Sequence, residues 1–204
     1  MTTIYLIRHG QASFGAESYD KLSPNGELQA KLLGRYFDEI LKEAPYVVAG
    51  SMQRHQQTAQ LALAECFPES EPVTDSAWNE FNHQQVFAQY EPRFNQPELL
   101  KEDVSQHANP RAYLSKIFEG AIERWTGGDY HHEYEESWPD FKQRVETALQ
   151  HLCDDLAEKK PRYAVVFTSG GVISVAAGKI LDLSPNKTFA LNWAITNTSM
   201  TTLR

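Results

Sequence analysis

Three short polar clusters in this 204-residue chain each follow an apolar run. Arg8-His9-Gly10-Gln11 follows Ile4-Tyr5-Leu6-Ile7. Gly50-Ser51-Met52-Gln53-Arg54 follows Tyr46-Val47-Val48-Ala49, and Thr168-Ser169-Gly170-Gly171 follows Ala164-Val165-Val166-Phe167. Two arginines, a histidine, a hydroxyl pair and a Gly-Gly turn are the components of a site for a small oxyanion. Guanidinium forks match phosphate oxygens, and backbone N–H groups at a Gly-rich turn opening a helix add neutral donors. An imidazole among such groups can attack phosphorus and carry the phosphoryl group, dividing one difficult displacement into two. In-line transfer also needs an acid for the leaving oxygen. Glu80, in Trp78-Asn79-Glu80-Phe81-Asn82-His83, is the carboxyl whose aromatic flanks suit a partly desolvated acid. Each cluster alone is commonplace: Arg-His-Gly is a short string, and Thr-Ser-Gly-Gly fits any tight turn. Their shared place after three apolar runs joins them.

For the clusters to meet, the three runs must be parallel strands, since ligands of such sheets sit beyond the carboxyl ends. The intervening sequence supports this. Leu28, Leu32, Leu33, Tyr36, Phe37, Ile40 and Leu41 recur at helical spacing behind Ser23-Pro24, a capping pair. Residues 53–66 read as a helix stopped by Pro68, and Val73-Thr74 as a short strand. Phe141, Val145, Ala148, Leu149, Leu152 and Leu156 mark a long amphipathic helix. A further helix covers Val172 to Leu181. Residues 188–193 and 199–203 read as closing strands, and residues 78–135, with Pro92, Pro97 and Pro110, as helical segments and long loops. Strands alternating with amphipathic helices predict an α/β fold with a mostly parallel sheet.

Composition narrows the partners. Lys+Arg number 19 against 27 Asp+Glu, a formal charge of −8, which argues against a nucleic-acid backbone as partner. No run approaches the length of a membrane helix. The N-terminal residues lack a signal-peptide pattern, and the expected location is the cytoplasm. Cys66 and Cys153 are far apart and read as small buried hydrophobes, neither a disulfide framework nor a metal site. No GxGxxG follows the first strand and no GxxxxGK[ST] occurs, so a nucleotide-cofactor domain is the weaker reading.

Taken together, the segments resemble the histidine phosphatase superfamily, the phosphoglycerate mutase-like group, over most of the chain. Arg8-His9-Gly10-Gln11 is similar to the family signature after the first strand. Residues 22–30, LSPNGELQA, are similar to its L-[ST]-x-x-G-x-x-Q-A segment. Residues 51–59, SMQRHQQTA, are similar to its S-x-x-x-R-x-x-Q-T-A segment with one residue fewer before the arginine. The resemblance implies a three-layer α/β/α sandwich, a single domain over 1–204 in which residues 81–135 form a helical and loop cap. It implies His9 as phosphorylated nucleophile, Arg8 and Arg54 as the phosphate clamp with Ser169 and Gly170 beside them, and Glu80 as general acid and then base. No metal or organic cofactor is implied. The substrate would be a small phosphorylated metabolite.

The chain departs from the family pattern at the third strand. Where a second histidine is normal, in [ST]-H-G-G, this chain has Ser169. A serine donates one hydrogen bond and brings no charge. Losing a charged donor costs roughly 10²–10³ in rate, by analogy with an oxyanion donor. His83 is the candidate to take over that task. His55, next to Arg54 on a helix, is expected to point away from it. The Asn usually found after the signature is replaced by Ala12-Ser13-Phe14-Gly15, where Ser13 can supply a hydroxyl. The first reading is therefore a phosphomonoesterase, with a mutase as the lesser enzymatic reading. A weakly active phospholigand-binding protein is the alternative that Ser169 raises. Restoring histidine by Ser169→His is expected not to lower activity.

Overall fold

A computed structural model of the protein describes residues 1–13 and 20–204. Two compact units are delimited, one of Met1–Glu80 with Arg144–Arg204 and one of Phe81–Gln143. The segment expected to form a cap begins at the same residue, 81, and the second unit runs eight residues past the expected end, 135, to Gln143.

The first unit is built on five strands: β1 (Thr3–Arg8), β2 (Tyr46–Ala49), β3 (Val73–Thr74), β4 (Tyr163–Thr168) and β5 (Met200–Leu203). Their order is β3-β2-β4-β1-β5. The pairs β1–β4, β2–β4 and β2–β3 are parallel, and only β5 runs antiparallel, against β1. The fold is the expected mixed α/β sandwich. Ile7, Val47, Ala49, Val165 and Phe167 point to one face. There they meet Leu33, Phe37, Ala59, Ala62 and Leu63 of the helices α1 (Pro24–Ile40) and α2 (Gln53–Cys66). The alternate residues Leu6, Val48, Ala164 and Val166 are buried too, so both faces of the sheet are covered, as parallel sheets require. α7 (Gly170–Ile180) packs on β1, with Val172, Ile173, Val175 and Ala176 buried.

Local chemistry explains the boundaries. Ser23 caps α1, its Oγ accepting from the Gly26 N–H, and Pro24 takes the first helical position, where no N–H is needed. The same Ser-Pro pair at Ser184-Pro185 starts α8 (Pro185–Ala194). Residues 188–193 are therefore helical, which corrects the expected strand there; only β5 closes the sheet. Gly170-Gly171 likewise lies inside the first turn of α7 and does not merely end a strand. Cys66 is half-buried and Cys153 is exposed, so the second is not the buried hydrophobe expected. Burial still raises the Cys66 thiol to about 11, leaving it a poor nucleophile.

In the second unit the expected helical segments are present, and Pro92, Pro97 and Pro110 each open one. Its helices are α3 (His83–Tyr90), α4 (Pro97–Gln106) and α5 (Pro110–Thr126). Phe81 stacks on Trp125 with ring centres 4.6 Å apart and meets Phe141 edge-on at 5.4 Å. Phe87, Phe94 and Phe118 form a second aromatic group. The long helix α6 (Trp138–Lys159) supplies Phe141, Val145, Ala148, Leu152 and Leu156 as its buried stripe.

α1 and α2 pack backbone against backbone at Gly34. A Cβ there would lie 2.1 Å from the carbonyl oxygen of Ala62. Two effects oppose each other in Gly34→Ala. Helix propensity alone gains about 1 kcal/mol, whereas forcing two backbones apart costs about 1–3 kcal/mol. The rigid neighbour decides the sign, and urea unfolding is expected to show a net loss of stability.

Candidate active site

The connection leaving β1 runs through α1 toward β2, on one side. The connection leaving β4 runs through α7 and α8 to β5, on the other. The two connections leave these adjacent strands in opposite directions along the sheet, which makes the carboxyl ends of this pair a topological switch point. His9 and Ser169 stand there. Arg8 pairs with Thr168 in the ladder, and the His9 N–H donates to the Thr168 carbonyl at 2.9 Å.

The ring of His9 has one defined tautomer. Its Nδ1 lies 2.7 Å from the Gly10 carbonyl oxygen. A carbonyl only accepts, so Nδ1 carries the hydrogen and Nε2 keeps a lone pair. Arg54 Nε donates to that lone pair at 3.2 Å. Burial, then the adjacent Arg54 and more weakly Arg8, bring the His9 pKa down to about 3; the Gly10 bond opposes them and loses. The imidazole is thus neutral and nucleophilic at physiological pH.

Arg54 is positioned from several directions. It lies in the first turn of α2 and is 5% exposed. Its Nη1 donates to Asp20 Oδ1 at 2.6 Å, and Asp20 Oδ2 accepts from the Gln53 N–H at 2.7 Å. Asp20 thereby caps a helix whose own N-cap, Met52, has no side-chain acceptor. Thr58 Oγ1 donates to the Arg54 carbonyl and accepts from the Gly10 N–H, while Gln57 accepts from the Leu22 N–H. The Q-T pair of the 51–59 segment therefore ties α2 to the His9 loop. Sequence reasoning missed these roles and that of Asp20. Polar residues one turn along from a candidate arginine were the available signal. Arg8 extends from the end of β1, donating from Nη1 to the Ile195 carbonyl. Its guanidinium lies against Gly170, where an added Cβ would stand 3.5 Å from Arg8 Cζ and 2.1 Å from Asn192 Oδ1.

Glu80 reaches the same strand ends. The Thr168 hydroxyl donates to the Trp78 carbonyl, and Arg144 Nη1 donates to the carbonyls of Ala77 and Asn79. Asn79 Oδ1 accepts from the Ser51 N–H at 2.7 Å. This fastened segment sets the half-buried Glu80 so that Oε2 accepts from the Gly171 N–H at 3.1 Å. The carboxyl sits at the opening turn of α7.

Ser169 and His55 depart most from expectation. Ser169 is fully buried, and its Oγ lies 2.6 Å from His55 Nε2. His55 does not point away. It is 0% exposed, and its ring centre is 5.6 Å from that of His9. Burial first, then His9 and Arg54, hold its pKa well below the ordinary value. The one-residue step from Arg54 in the first helical turn rotates the side chain toward the sheet. Room for the ring is made by Gly50, where a Cβ would lie 2.2 Å from His55 Nδ1. A histidine at position 169 would meet this ring in a fully buried place, so Ser169→His does not fit as the sequence alone suggested. His83 lies in the second unit, at the head of α3, against Phe87. Ser13 is half-buried, its N–H donating to the Lys21 carbonyl; Phe14 and Gly15 of the same stretch lie outside the described residues. Among the described residues no group of three or more His, Cys, Asp or Glu is arranged to hold a metal ion.

A sequence model of the histidine phosphatase superfamily (branch 1) matches residues 4–111 and 91–204. No curated protein matches significantly. Solved structures with a similar fold include a phosphoserine phosphatase variant from Entamoeba histolytica in complex with phosphoserine. It has 16% identity and a TM-score of 0.64, over 99% of this chain and 90% of that one. A putative alpha-ribazole-5'-P phosphatase from Escherichia coli has 20% identity and a TM-score of 0.59, over 93% and 84%. A phosphoglycerate mutase from Bacillus anthracis has 15% identity and a TM-score of 0.61, over 98% and 86%.

The neutral buried imidazole has a consequence for stability. Once unfolded, His9 takes a proton below about pH 6.5, whereas the folded ring resists it down to about pH 3. Its contribution is full above the unfolded value and is lost as pH falls between the two. Between about pH 7.5 and pH 5, a His9→Asn variant is expected to lose about 2 kcal/mol less stability than the parent. Urea midpoints at the two pH values measure this.

Proposed function

The chain belongs to the histidine phosphatase superfamily, and from that premise we propose that it is a phosphomonoesterase acting through a phosphohistidine on His9. The observation that carries the reading is the His9 tautomer: Nδ1–H held by Gly10 and the Nε2 lone pair directed at Arg54. Arg54 and Arg8 take the phosphoryl oxygens, with the Gly170 turn alongside. His9 Nε2 attacks phosphorus, forming the P–N bond as the P–O bond to the substrate alcohol breaks. The Glu80 carboxyl gives its proton to the departing oxygen. In the second half, the Glu80 carboxylate takes a proton from water as that water attacks phosphorus. The P–N bond breaks, inorganic phosphate leaves, and Glu80 is protonated again. None of these steps calls for a metal or organic cofactor.

The substrate class is a small phosphorylated metabolite. The phosphoserine phosphatase and alpha-ribazole-5'-P phosphatase with the same fold support that class. We assign choice of the leaving alcohol to the cap segment, residues 81–135, which falls within the compact unit inserted between Glu80 and Arg144. The free thiols Cys66 and Cys153 suit the reducing cytoplasm. No helix among the described residues is long and apolar enough to cross a membrane.

A second reading, phospholigand binding with poor turnover, is favoured by one observation. Two groups that would serve an oxyanion are engaged internally, Arg54 Nη1 by Asp20 and Ser169 Oγ by His55. Turnover of p-nitrophenyl phosphate separates the readings. The enzyme reading expects hydrolysis that falls by more than about 10³-fold in His9→Ala, with an acid-labile, alkali-stable phosphoenzyme trapped in the parent. Vanadate binding without turnover would support the binder.

Glu80→Gln tests the acid role through the leaving group. An alkyl phosphate, whose alkoxide needs protonation, is expected to lose about 10²–10⁴-fold in kcat/KM. p-Nitrophenyl phosphate, with a stable leaving anion, is expected to lose far less in its phosphorylation half-reaction. Equal losses on both substrates in single-turnover measurements would remove Glu80 as the acid.

A further inference from the structure

We infer that His55 is a positioning residue that supplies, from helix α2, the polar hydrogen which the family pattern takes from a histidine at position 169. It does so through the Ser169 hydroxyl. The inference rests on the phosphomonoesterase reading. Continuing the β1–β4 register by one residue sets Ser169 opposite His9, so the two side chains leave the same face of the sheet.

The hydrogen-bond inventory gives the direction of the relay. His55 Nδ1 is buried with no partner. A buried lone pair without a donor is tolerated better than a buried N–H without an acceptor. The hydrogen of the neutral ring therefore belongs on Nε2, which donates to Ser169 Oγ at 2.6 Å. With its oxygen accepting from His55, the Ser169 hydroxyl hydrogen is free to turn toward a phosphoryl group on His9, and the bond behind it polarises that donor. Protonating His55 would bury a second N–H on Nδ1 without an acceptor, which agrees with a ring held neutral.

The surroundings are shaped for this ring. Gly50 leaves the space that a Cβ would fill against Nδ1. Ser169 is the N-cap residue of α7, yet its side chain makes no capping bond and is spent on His55. The same fully buried volume thus holds an imidazole on α2 and a small hydroxyl just past the end of β4, where the family pattern has the imidazole.

The test uses the full chain with His55→Leu, His55→Gln, Ser169→Ala and the pair His55→Leu/Ser169→Ala. Turnover of p-nitrophenyl phosphate, vanadate inhibition and thermal unfolding are measured for each. His55→Leu is expected to lower kcat about 10- to 100-fold with KM changed less than about threefold. Ser169→Ala should lose a similar factor, and the pair no more than either alone, because both break one chain of hydrogen bonds. His55→Gln, whose amide N–H reaches the Nε2 position, should regain most of kcat; packing alone predicts no such rescue. Parental kcat in His55→Leu, losses that multiply in the pair, or a Gln variant no better than Leu would overturn the inference. Should His55→Leu fail to fold, Ser169→Ala and His55→Gln decide: a parental kcat in the first or a lost kcat in a folded second overturns it. A parent that turns over normally while His55→Leu matches it removes only the inference. A parent that neither hydrolyses the ester nor binds vanadate removes the phosphatase reading, and the inference with it.

Discussion

A single short hydrogen bond organises the chemistry of this protein: His9 Nδ1–H to the carbonyl of its own neighbour, Gly10. It leaves one nitrogen with a lone pair and no freedom to exchange roles with the other. Burial and two guanidinium groups then make the imidazolium form costly, so the ring stays neutral without an auxiliary base. The arrangement has an electrostatic counterpart. Arg8 and Arg54 stand beside this neutral ring, and Asp20, paired with Arg54, offsets part of their charge.

The backbone must come unusually close to itself to build this. A Cβ on Gly10 would lie 2.5 Å from the Gly26 carbonyl oxygen, and one on Gly26 would lie 2.1 Å from that of Gln11. The two glycines of separate motifs are thus one contact, between the loop after β1 and the first turn of α1. Gln29 completes it by accepting from the Gln11 N–H at 2.8 Å. Thr58 and Gln57 fasten the same loop to α2. Gly26, Gln29, Gln57 and Thr58 of these motifs are therefore engaged in holding the loop backbone. They hold the Gly10 carbonyl where the His9 ring needs it.

The parts of this architecture that were legible in the sequence share a cause. Apolar runs ending in Arg8, Gly50 and Thr168 report strand position directly, because a parallel strand is buried on both faces and its carboxyl end is where polar groups begin. That was enough to gather His9, Arg8, Arg54 and Ser169, whereas Glu80 was singled out by its aromatic flanks. Residues 188–193 misled because β-compatible residue types there outweighed the Ser184-Pro185 start signal, although the same signal had been read correctly at Ser23-Pro24. Pro92, Pro97 and Pro110 left the bounds of the helical segments within 78–135 open, because a proline marks a helix start only when the preceding residue is recognised as its cap. Asp20 was not legible at all. It acts across 33 residues on the N-terminus of α2, and nothing local announces a cap supplied from another segment.

His55 shows a further limit of position-based reading. Ser169 looks like a lost function when a histidine is sought at one place in the chain. What phosphoryl transfer requires is a donor at one place in space, and several elements border that place. β4 reaches it at residue 169, and the first turn of α2 reaches it at residue 55. Both side chains are fully buried, so the volume cannot hold an imidazole from each. A histidine on α2 thus demands a small residue just past β4, and Gly50 extends the same constraint to the end of β2. Read together, Gly50, His55 and Ser169 are one packing solution, and Ser169 is the partner that a histidine at position 55 requires.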